Sequence, residues 1–286
     1  MTEEHDNTVP LAITGATGAV GGMVAAQLAG DGICLRLLVR NPDKAPSLPG
    51  SSLWPSSYSD KAASIAALTG VQTLFMVSAA ENAKRLDQHR EFIDSAVAAG
   101  VSHIVYTSFA GASPTATFTL ARDHYATEEY IKASGLGYTF LRDNLYLDFA
   151  SALVGEDGVI RGPAGQGRVA MVARADVART AGVILRNPAA HLNQTYTLTG
   201  PEALTLTEVA AQLSAAHGTE VSFYNEDIAE AYASRQKWGA PAWQLDAWVS
   251  TYTAIASGEL SEVTSDVQKI TGVSPLSLTE LVTAKP

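Results

Sequence analysis

The sequence predicts an α/β protein built on a doubly wound parallel sheet, with a smaller mixed α/β region at the carboxyl end. Two observations support this fold class. Apolar strand-like runs alternate with helix-like runs through the first half of the chain, and a glycine-rich turn joins the first strand to the first helix. Continuous apolar strands separated by helices are typical of a parallel sheet that helices cover on both faces.

The first half supplies the elements of this sheet. Its strand-like runs are short and apolar, and they lie at 10–14, 33–39, 73–77, 104–107 and 138–141. Its helix-like runs carry apolar residues on one face, and they lie at 21–29, 91–99 and 119–134. Gly100 and Gly135 directly follow two of these runs, at the position where a left-handed residue commonly ends a helix.

The second half is less regular. Residues 155–167 include five glycines and a proline, which predicts a loop or a short hairpin, and a helix at 176–185 and a strand at 196–198 follow. Two Ser/Thr-x-x-Glu patterns, at 205–208 and 277–280, predict capping boxes that open helices. We therefore expect a first domain of residues 1–150, to whose sheet a strand near 195–199 returns, and a smaller region of residues 151–286.

Composition and charge narrow the class of protein. The chain of 286 residues has 19 Lys+Arg, 29 Asp+Glu and a net charge of −10, without a basic block, which argues against nucleic-acid partners. Cys34 is the single cysteine, so a reducing compartment is expected. No apolar run approaches the ~20 residues that span a membrane, and residues 1–7 are acidic and polar. We expect a cytoplasmic protein without membrane contacts, and the His, Asp and Glu spacings predict no metal site.

The strongest local signal is a glycine turn between the first predicted strand and helix. Gly15 permits a tight turn, Gly18 lets the backbone approach a pyrophosphate, and Gly21 lets the helix pack closely against the strand. The helix N-terminus then offers N–H groups to phosphates. The alternative is a glycine-rich turn that binds no ligand. The residues predicted to bind a dinucleotide here are Gly15, Ala16, Thr17, Gly18, Ala19, Val20 and Gly21.

The end of the second predicted strand indicates which dinucleotide is preferred. An acidic residue there would bind the ribose 2′-hydroxyl of NADH, but the sequence has Arg40, followed by Lys44. A guanidinium makes paired hydrogen bonds to a 2′-phosphate, and Lys44 adds positive charge. We therefore predict NADPH as the cofactor, with NADH also possible. The alternative is a solvated arginine at the end of a strand.

Motifs along nearly the whole chain resemble one protein family. They are Ile13-Thr14-Gly15-Ala16-Thr17-Gly18, Val39-Arg40-Asn41-Pro42-Asp43-Lys44-Ala45, Gln88-His89-Arg90, Ala98-Ala99-Gly100-Val101, Tyr106-Thr107-Ser108, Thr127-Glu128, Ser134-Gly135, Thr139-Phe140-Leu141-Arg142, Arg174-Ala175-Asp176 and Tyr196-Thr197-Leu198-Thr199-Gly200. The chain resembles the NmrA-like branch of the atypical short-chain dehydrogenases, and within it the NADPH-dependent quinone oxidoreductase type 2 group.

This resemblance implies a Rossmann domain that binds the dinucleotide, a small carboxyl-terminal substrate region and a cleft between them. Residues 15–21 and Arg40 would hold the dinucleotide. Ser78 and Ala79 would line its path. The nicotinamide would be bordered by Leu141, Arg142 and Asn144.

One departure from the larger dehydrogenase family concerns the proton donor. Typical members carry Tyr-x-x-x-Lys on one helix, but the aligned positions here hold Leu120 and His124. The quinone reductase group lacks the same pair. His124 either lies at the nicotinamide end of the cleft or caps or solvates the start of its helix. Asn144 and Tyr146 follow the strand at 138–141, and either could position a carbonyl oxygen, although Tyr146 is as readily explained as a wall aromatic.

Three functions remain open on these residues. The first is an NADPH-dependent reductase of quinones or similar conjugated carbonyls, in which His124, Asn144 and Tyr146 are the candidate catalytic residues. The second is a non-catalytic dinucleotide sensor of the NmrA type, and the third is a tailoring reductase of polycyclic aromatic substrates. Three tryptophans close together near the carboxyl end would either form a lid for a flat substrate or join two helices. They are Trp238, Trp243 and Trp248. We expect a monomer or a homodimer.

Overall fold

A computed structural model describes residues 11–284, so position 10 of the first predicted strand and the acidic segment 1–7 lie outside it. The strands are β1 Leu11–Thr14, β2 Leu35–Val39, β3 Ser51–Pro55, β4 Thr73–Met76, β5 His103–Phe109, β6 Gly137–Asp143, β7 Val159–Gly162, β8 Arg168–Val169, β9 Gln194–Leu198, β10 Leu204–Thr205 and β11 Ser222–Asn225. The helices are α1 Ala19–Gly30, α2 Lys61–Leu68, α3 Arg85–Ala98, α4 Thr119–Ala133, α5 Arg174–Arg186, α6 Leu206–His217, α7 Ile228–Arg235, α8 Ala242–Ala256, α9 Asp266–Thr271 and α10 Leu278–Thr283.

Seven strands form the main sheet, in the order β3-β2-β1-β4-β5-β6-β9. The pairs from β3 through β5 are parallel, and Ile13 of β1 lies opposite Leu37 on one side and Phe75 on the other. Because β2 and β4 flank β1, the strand order reverses beside β1, and such a switch point leaves a crevice at the carboxyl ends of the strands. The predicted doubly wound fold is confirmed.

The sequence predicts most strands of the first half because these strands are buried and therefore apolar. All residues of β1, β2, β4 and β5 are buried, and Val24 and Leu28 of α1 are fully covered. The exception is β3, an edge strand with mixed exposure that contains Pro55. Its sequence has no continuous apolar run and does not predict a strand. Proline is tolerated at a sheet edge because one side of an edge strand needs no ladder hydrogen bonds.

The second half confirms the predicted turn and capping boxes and adds a strand pair that the sequence does not predict. At 155–158 the chain turns back, so that Ile160 forms an antiparallel bridge with Val154, as in a short hairpin. The strand β7 also pairs in parallel with β11, about sixty residues later. The capping boxes of Thr205 with Glu208 and of Ser277 with Glu280 are both present. A third, unpredicted capping box opens α7 at Asp227.

The described chain divides into two compact units. Unit 1 comprises residues 11–107, 127–140 and 178–195, and unit 2 comprises residues 108–126, 141–177 and 196–284. The core of unit 1 contains Leu68, Phe92, Tyr106 and Phe140, and that of unit 2 is built mainly from aliphatic side chains such as Leu213 and Ile255. The division near residue 150 stays a prediction.

Residues 11–284 contain neither a candidate membrane span nor a cluster of metal-ligating side chains. No helix in this range has the length and apolar character needed to cross a membrane. The same range contains no group of three or more His, Cys, Asp and Glu side chains that could hold a metal ion.

Candidate functional site

The glycine turn after β1 has the geometry that a close backbone approach requires. Gly15 has a φ of +68°, and its carbonyl accepts a hydrogen bond from the Gly18 N–H at 2.8 Å. A Cβ on Gly21 would lie 2.4 Å from the Gly15 oxygen, so a side chain there would force α1 away from β1. Gly18 has an ordinary extended backbone, and its Cβ would come no closer than 3.3 Å to the Gly15 oxygen.

The first turn of α1 is open to an anion. Gly18 is the N-cap residue and has no side chain to accept the first helical N–H groups, and the first turn carries no acidic residue. These N–H groups have no partner within the helix, and together with the helix dipole they favour a negatively charged ligand. The turn therefore fits the pyrophosphate of a dinucleotide.

A groove in unit 1 runs along the carboxyl ends of β1, β2, β3 and β4, and we call it the strand-end groove. It is lined, among other residues, by Gly15, Thr17, Arg40, Ser57, Tyr58, Ser78 and Ala79. The glycine turn, the predicted selectivity residue Arg40 and the predicted path residues Ser78 and Ala79 are thus brought together. Lys44 is not among its lining residues and lies at the end of a short 3-10 turn.

Charge within the strand-end groove comes from one side chain. In the part of the chain that the structure describes, Arg40 is the one charged residue lining the groove, and it is exposed. The hydroxyls of Ser57 and Ser59 line the same space. An exposed guanidinium beside serine hydroxyls suits a phosphate group.

A phenol that the sequence analysis missed forms part of the groove wall. The Tyr58 hydroxyl lies 2.7 Å from the Thr14 hydroxyl and donates to the Val77 carbonyl, while its ring stacks on Phe92 at 4.3 Å between centroids. Burial raises the pKa of Tyr58, so the phenol remains neutral. Tyr58 therefore connects the ends of β1, β3 and β4. Its position just after an unpredicted edge strand left no sequence signal.

A buried histidine supports the loop after β4. The Ala79 N–H donates to Nε2 of His89 at 2.9 Å, and the Ser78 N–H donates to the Thr107 hydroxyl at 2.8 Å. His89 is fully buried on α3, and burial, with a smaller contribution from Arg85, lowers its pKa from 6.5 to about 3. In the sequence, His89 appears only within the family motif Gln88-His89-Arg90, and that motif assigns it no role.

The predicted catalytic residue His124 belongs to unit 2. It lies in the sixth position of α4, is 6% exposed, and its ring centroid is 6.0 Å from that of Phe109. The alternative that it is solvated at the start of the helix is wrong, because the side chain is buried. Its catalytic role stays a prediction.

Asn144 and Tyr146, also in unit 2, both have polar partners. Asn144 Nδ2 donates to the Leu260 carbonyl at 3.0 Å, and its Oδ1 accepts from the Leu145 N–H at 2.8 Å. The Tyr146 hydroxyl donates to the Asp143 carboxylate, and burial together with that carboxylate raises the pKa of Tyr146.

The other predicted residues of unit 2 have structural surroundings that can be stated directly. Leu141 is fully buried in β6, and Arg142 is half-buried beside it. Their contact with a nicotinamide stays a prediction. Trp238 and Trp248 meet edge to face at 5.6 Å between centroids, which links the turn after α7 to α8.

Comparison with known proteins gives the site a context. Residues 15–188 match the family model described as NAD(P)H-binding. Quinone oxidoreductase 2 of Escherichia coli is 36% identical over 279 residues, covering 95% of this chain and 97% of that protein. An NAD(P)H azoreductase of Xenophilus azovorans is 29% identical, covering 91% of this chain and 92% of the azoreductase.

Solved structures agree with these sequence matches. The E. coli quinone oxidoreductase complexed with NADPH has a TM-score of 0.86 at 35% identity, covering 95% of this chain and 98% of the other. The triphenylmethane reductase of Citrobacter sp. complexed with NADP(H) has a TM-score of 0.84 at 32% identity, with the same coverage. The resemblance that the motifs indicated is confirmed, and the chain belongs to the NAD(P)H-binding family.

Proposed function

We propose that this protein is an NADPH-dependent oxidoreductase that reduces a quinone or a similar conjugated carbonyl. The observation that carries the proposal is the position of Arg40 in the strand-end groove that the glycine turn also lines. The turn fits a pyrophosphate, and Arg40 fits the 2′-phosphate that distinguishes NADPH from NADH. Bound NADPH supplies a hydride, and NADH remains a weaker substitute.

The absence of a Tyr–Lys acid on α4 supports a quinone-like acceptor. Reducing a ketone develops an alkoxide whose basicity resembles that of hydroxide, with water's pKa at roughly 15.7. Reducing a quinone gives an anion resembling ionised tyrosine, whose conjugate acid has a pKa of about 10. The difference of about six pKa units corresponds to ~8 kcal/mol of proton affinity, so a dedicated acid matters far more for ketones than for quinones.

The names of the relatives support the same class of acceptor. They are described as reductases of a quinone, an azo compound and triphenylmethane dyes. Each of these names denotes a conjugated molecule, and such an acceptor suits binding against aromatic or apolar walls. We extend this acceptor class to the present chain.

A hydrogen bond steadies the developing anion of the reduced acceptor. The donors that we propose are His124, Asn144 or water itself. The Tyr146 phenol already donates to the Asp143 carboxylate, so we propose that it acts by shaping the wall.

The test is a spectrophotometric assay of NADPH oxidation with a quinone, an azo dye and a simple aliphatic ketone. We expect rapid oxidation with the quinone and poor oxidation with the ketone. The Gly18→Val variant is the control, because it should not bind the cofactor. Rapid reduction of the unactivated ketone by the wild-type protein would contradict the proposal.

A second candidate function is a dinucleotide sensor of the NmrA type. The observation that favours it is the replacement of the usual phenol and ammonium on α4 by Leu120 and His124, both buried. The sensor would be selected if the protein binds NADPH tightly but oxidises it with no acceptor. The acceptors tested should include polycyclic ketones, which would suit a tailoring enzyme.

We further propose that the protein is located in the cytoplasm, because it has a single cysteine, and that it acts as a monomer or homodimer.

A further inference from the structure

The loop Val77–Ala80 that follows β4 is held almost entirely by side chains from elsewhere in unit 1. The Val77 N–H donates to the Thr14 hydroxyl at 2.9 Å, and the Ser78 N–H donates to the Thr107 hydroxyl at 2.8 Å. The Ala79 N–H donates to His89 at 2.9 Å. Each of these backbone groups lies in a wall of the strand-end groove. The side chains that hold them therefore determine where that wall stands.

The same loop packs directly against the glycine turn. A Cβ placed on Gly15 would come within 3.0 Å of the Val77 Cβ, so the turn and the loop are already in contact. A shift of the loop into the groove would narrow the space beside Gly15 and Ser78. Cofactor affinity therefore depends on the residues that anchor the loop.

His89 is the most deeply placed of these anchors. Its imidazole is fully buried between Tyr58 and Tyr106, which meet it edge-on at 6.0 and 5.8 Å between centroids. Nε2 faces the Ala79 N–H, and Nδ1 lies 2.9 Å from the Thr127 hydroxyl.

The partners of the ring decide its protonation state. A backbone N–H can only donate, so Nε2 must accept with its lone pair. The proton of the neutral ring then lies on Nδ1, and Nδ1–H donates to the Thr127 hydroxyl. The nearby Arg85 guanidinium, which donates to the Ala79 carbonyl at 2.8 Å, opposes a second proton on the ring.

We propose that His89 is a positioning residue for the dinucleotide: a neutral imidazole, fixed as the Nδ1–H tautomer by the Ala79 N–H, whose Nε2 holds Ala79 and so keeps the groove wall in place. This inference rests on the proposed function. It assigns His89 no proton transfer and no contact with the acceptor.

Two substitutions separate the acceptor role of Nε2 from simple filling of space. The carboxamide of glutamine reaches the position of Nε2, whereas that of asparagine reaches only the position of Nδ1. His89→Asn should therefore keep the Thr127 contact and lose the bond to Ala79. Loss of one buried acceptor should weaken NADPH binding about tenfold. His89→Gln should stay within about threefold of the wild type.

The matched control is a second buried histidine of unit 1. His103 is 5% exposed and its Nε2 lies 2.9 Å from the Thr139 hydroxyl, but it begins β5 and so lies at the opposite end of the strands from the groove. His103→Asn should lower the melting temperature and leave the Kd for NADPH unchanged. The three variants are compared by fluorescence titration with NADPH, without any acceptor.

Turnover and spectroscopy provide further readouts. In His89→Asn, the KM for NADPH should rise about tenfold while kcat at saturating NADPH stays within about twofold. Long-range ¹⁵N–¹H spectra of the wild-type protein should show the Nδ1–H tautomer of His89 from pH 8 down to pH 5. This measurement needs no variant and applies even if His89→Asn does not fold.

The outcomes distinguish the inference from the function on which it rests. Equal NADPH affinity for wild type and His89→Asn, or an Nε2–H tautomer, overturns the positioning role alone. Equal weakening in His89→Asn and His103→Asn shows a general effect of stability and also overturns it. A wild-type protein that does not bind NADPH overturns the proposed function itself.

Discussion

Replacing Arg40 by glutamate should reverse the cofactor preference of this protein. Among residues 11–284, Arg40 is the one charged side chain that lines the strand-end groove, and its other lining residues are uncharged. Glutamate would repel the 2′-phosphate of NADPH, whereas it could accept hydrogen bonds from the ribose hydroxyls of NADH. We expect weaker NADPH binding and unchanged or tighter NADH binding.

The size of the effect follows from the exposure of Arg40. Loss of a hydrogen bond to a charged group corresponds to about 1.5–3 kcal/mol. Because the side chain is exposed, a water-like dielectric applies. A new repulsion at roughly 6 Å then adds only about 0.7 kcal/mol for each unit charge of the phosphate. For about 1.5 negative charges on the phosphate at pH 7, the total of about 2.5–4 kcal/mol corresponds to a loss in NADPH affinity of about fiftyfold to several hundredfold.

Fluorescence titration with each cofactor measures the change directly. Arg90→Glu is a suitable control, because it makes the same change in net charge on the exposed face of α3, where Arg90 pairs loosely with Asp87 at 3.7 Å. This control should leave both affinities unchanged. Equal losses for NADPH and NADH in Arg40→Glu would show that Arg40 has a structural role, and our assignment of NADPH would lose its support.

Further substitutions test the turn, the catalytic assignment, a buried ion pair and the buried neutral histidine. Gly18→Val should abolish NADPH binding while circular dichroism shows a retained fold; normal affinity would mean that the phosphates bind elsewhere. His124→Ala should keep quinone turnover at neutral pH at about a tenth to a hundredth of the wild-type rate; complete loss would contradict a mechanism without a required protein acid. Glu226→Ala removes the partner of Arg235 from a pair whose side chains are 3% and 6% exposed, and urea denaturation should show a loss of about 3–5 kcal/mol. The pair of Asp157 with Arg161, whose side chains are 55% and 41% exposed, offers a control. Asp157→Ala should barely move the denaturation midpoint, and equal losses would refute the difference in burial as the cause. His89 takes up a proton near pH 6.5 when unfolded but only near pH 3 when folded, so stability should fall as the pH drops below about 6.5. The contribution of this residue amounts to about 2 kcal/mol between pH 8 and pH 5, and His89→Gln, which cannot titrate, should lack it.

The parts of the fold that sequence predicted are those whose cause is local. The strands β1, β2, β4 and β5 are buried throughout, so their apolar runs are continuous. Each of the capping boxes at Thr205 and Ser277 is specified by four consecutive residues. The sequence predicts the glycine turn because Gly15 has a positive φ and Gly21 leaves no room for a Cβ beside the Gly15 oxygen, within seven residues.

The parts that sequence missed depend on contacts between distant segments. The edge strand β3 has mixed exposure and a proline, so no period marks it. The parallel pairing of β7 with β11 joins segments about sixty residues apart, and neither segment indicates its partner. In the candidate site, the sequence predicts Arg40 because this residue follows a strand that is itself predicted. The sequence does not predict Tyr58 or His89 as site residues, because their roles depend on contacts formed only where β1, β4 and α3 meet.

The anchoring of the loop Val77–Ala80 has a consequence for the thermodynamics of cofactor recognition. A flexible wall would lose conformational entropy on association, and that loss would reduce the net affinity. Here the N–H groups of Val77, Ser78 and Ala79 are already bonded to side chains of Thr14, Thr107 and His89. This side of the groove is preorganised, so we expect association kinetics in a single exponential phase, without a slow step in which the loop becomes ordered.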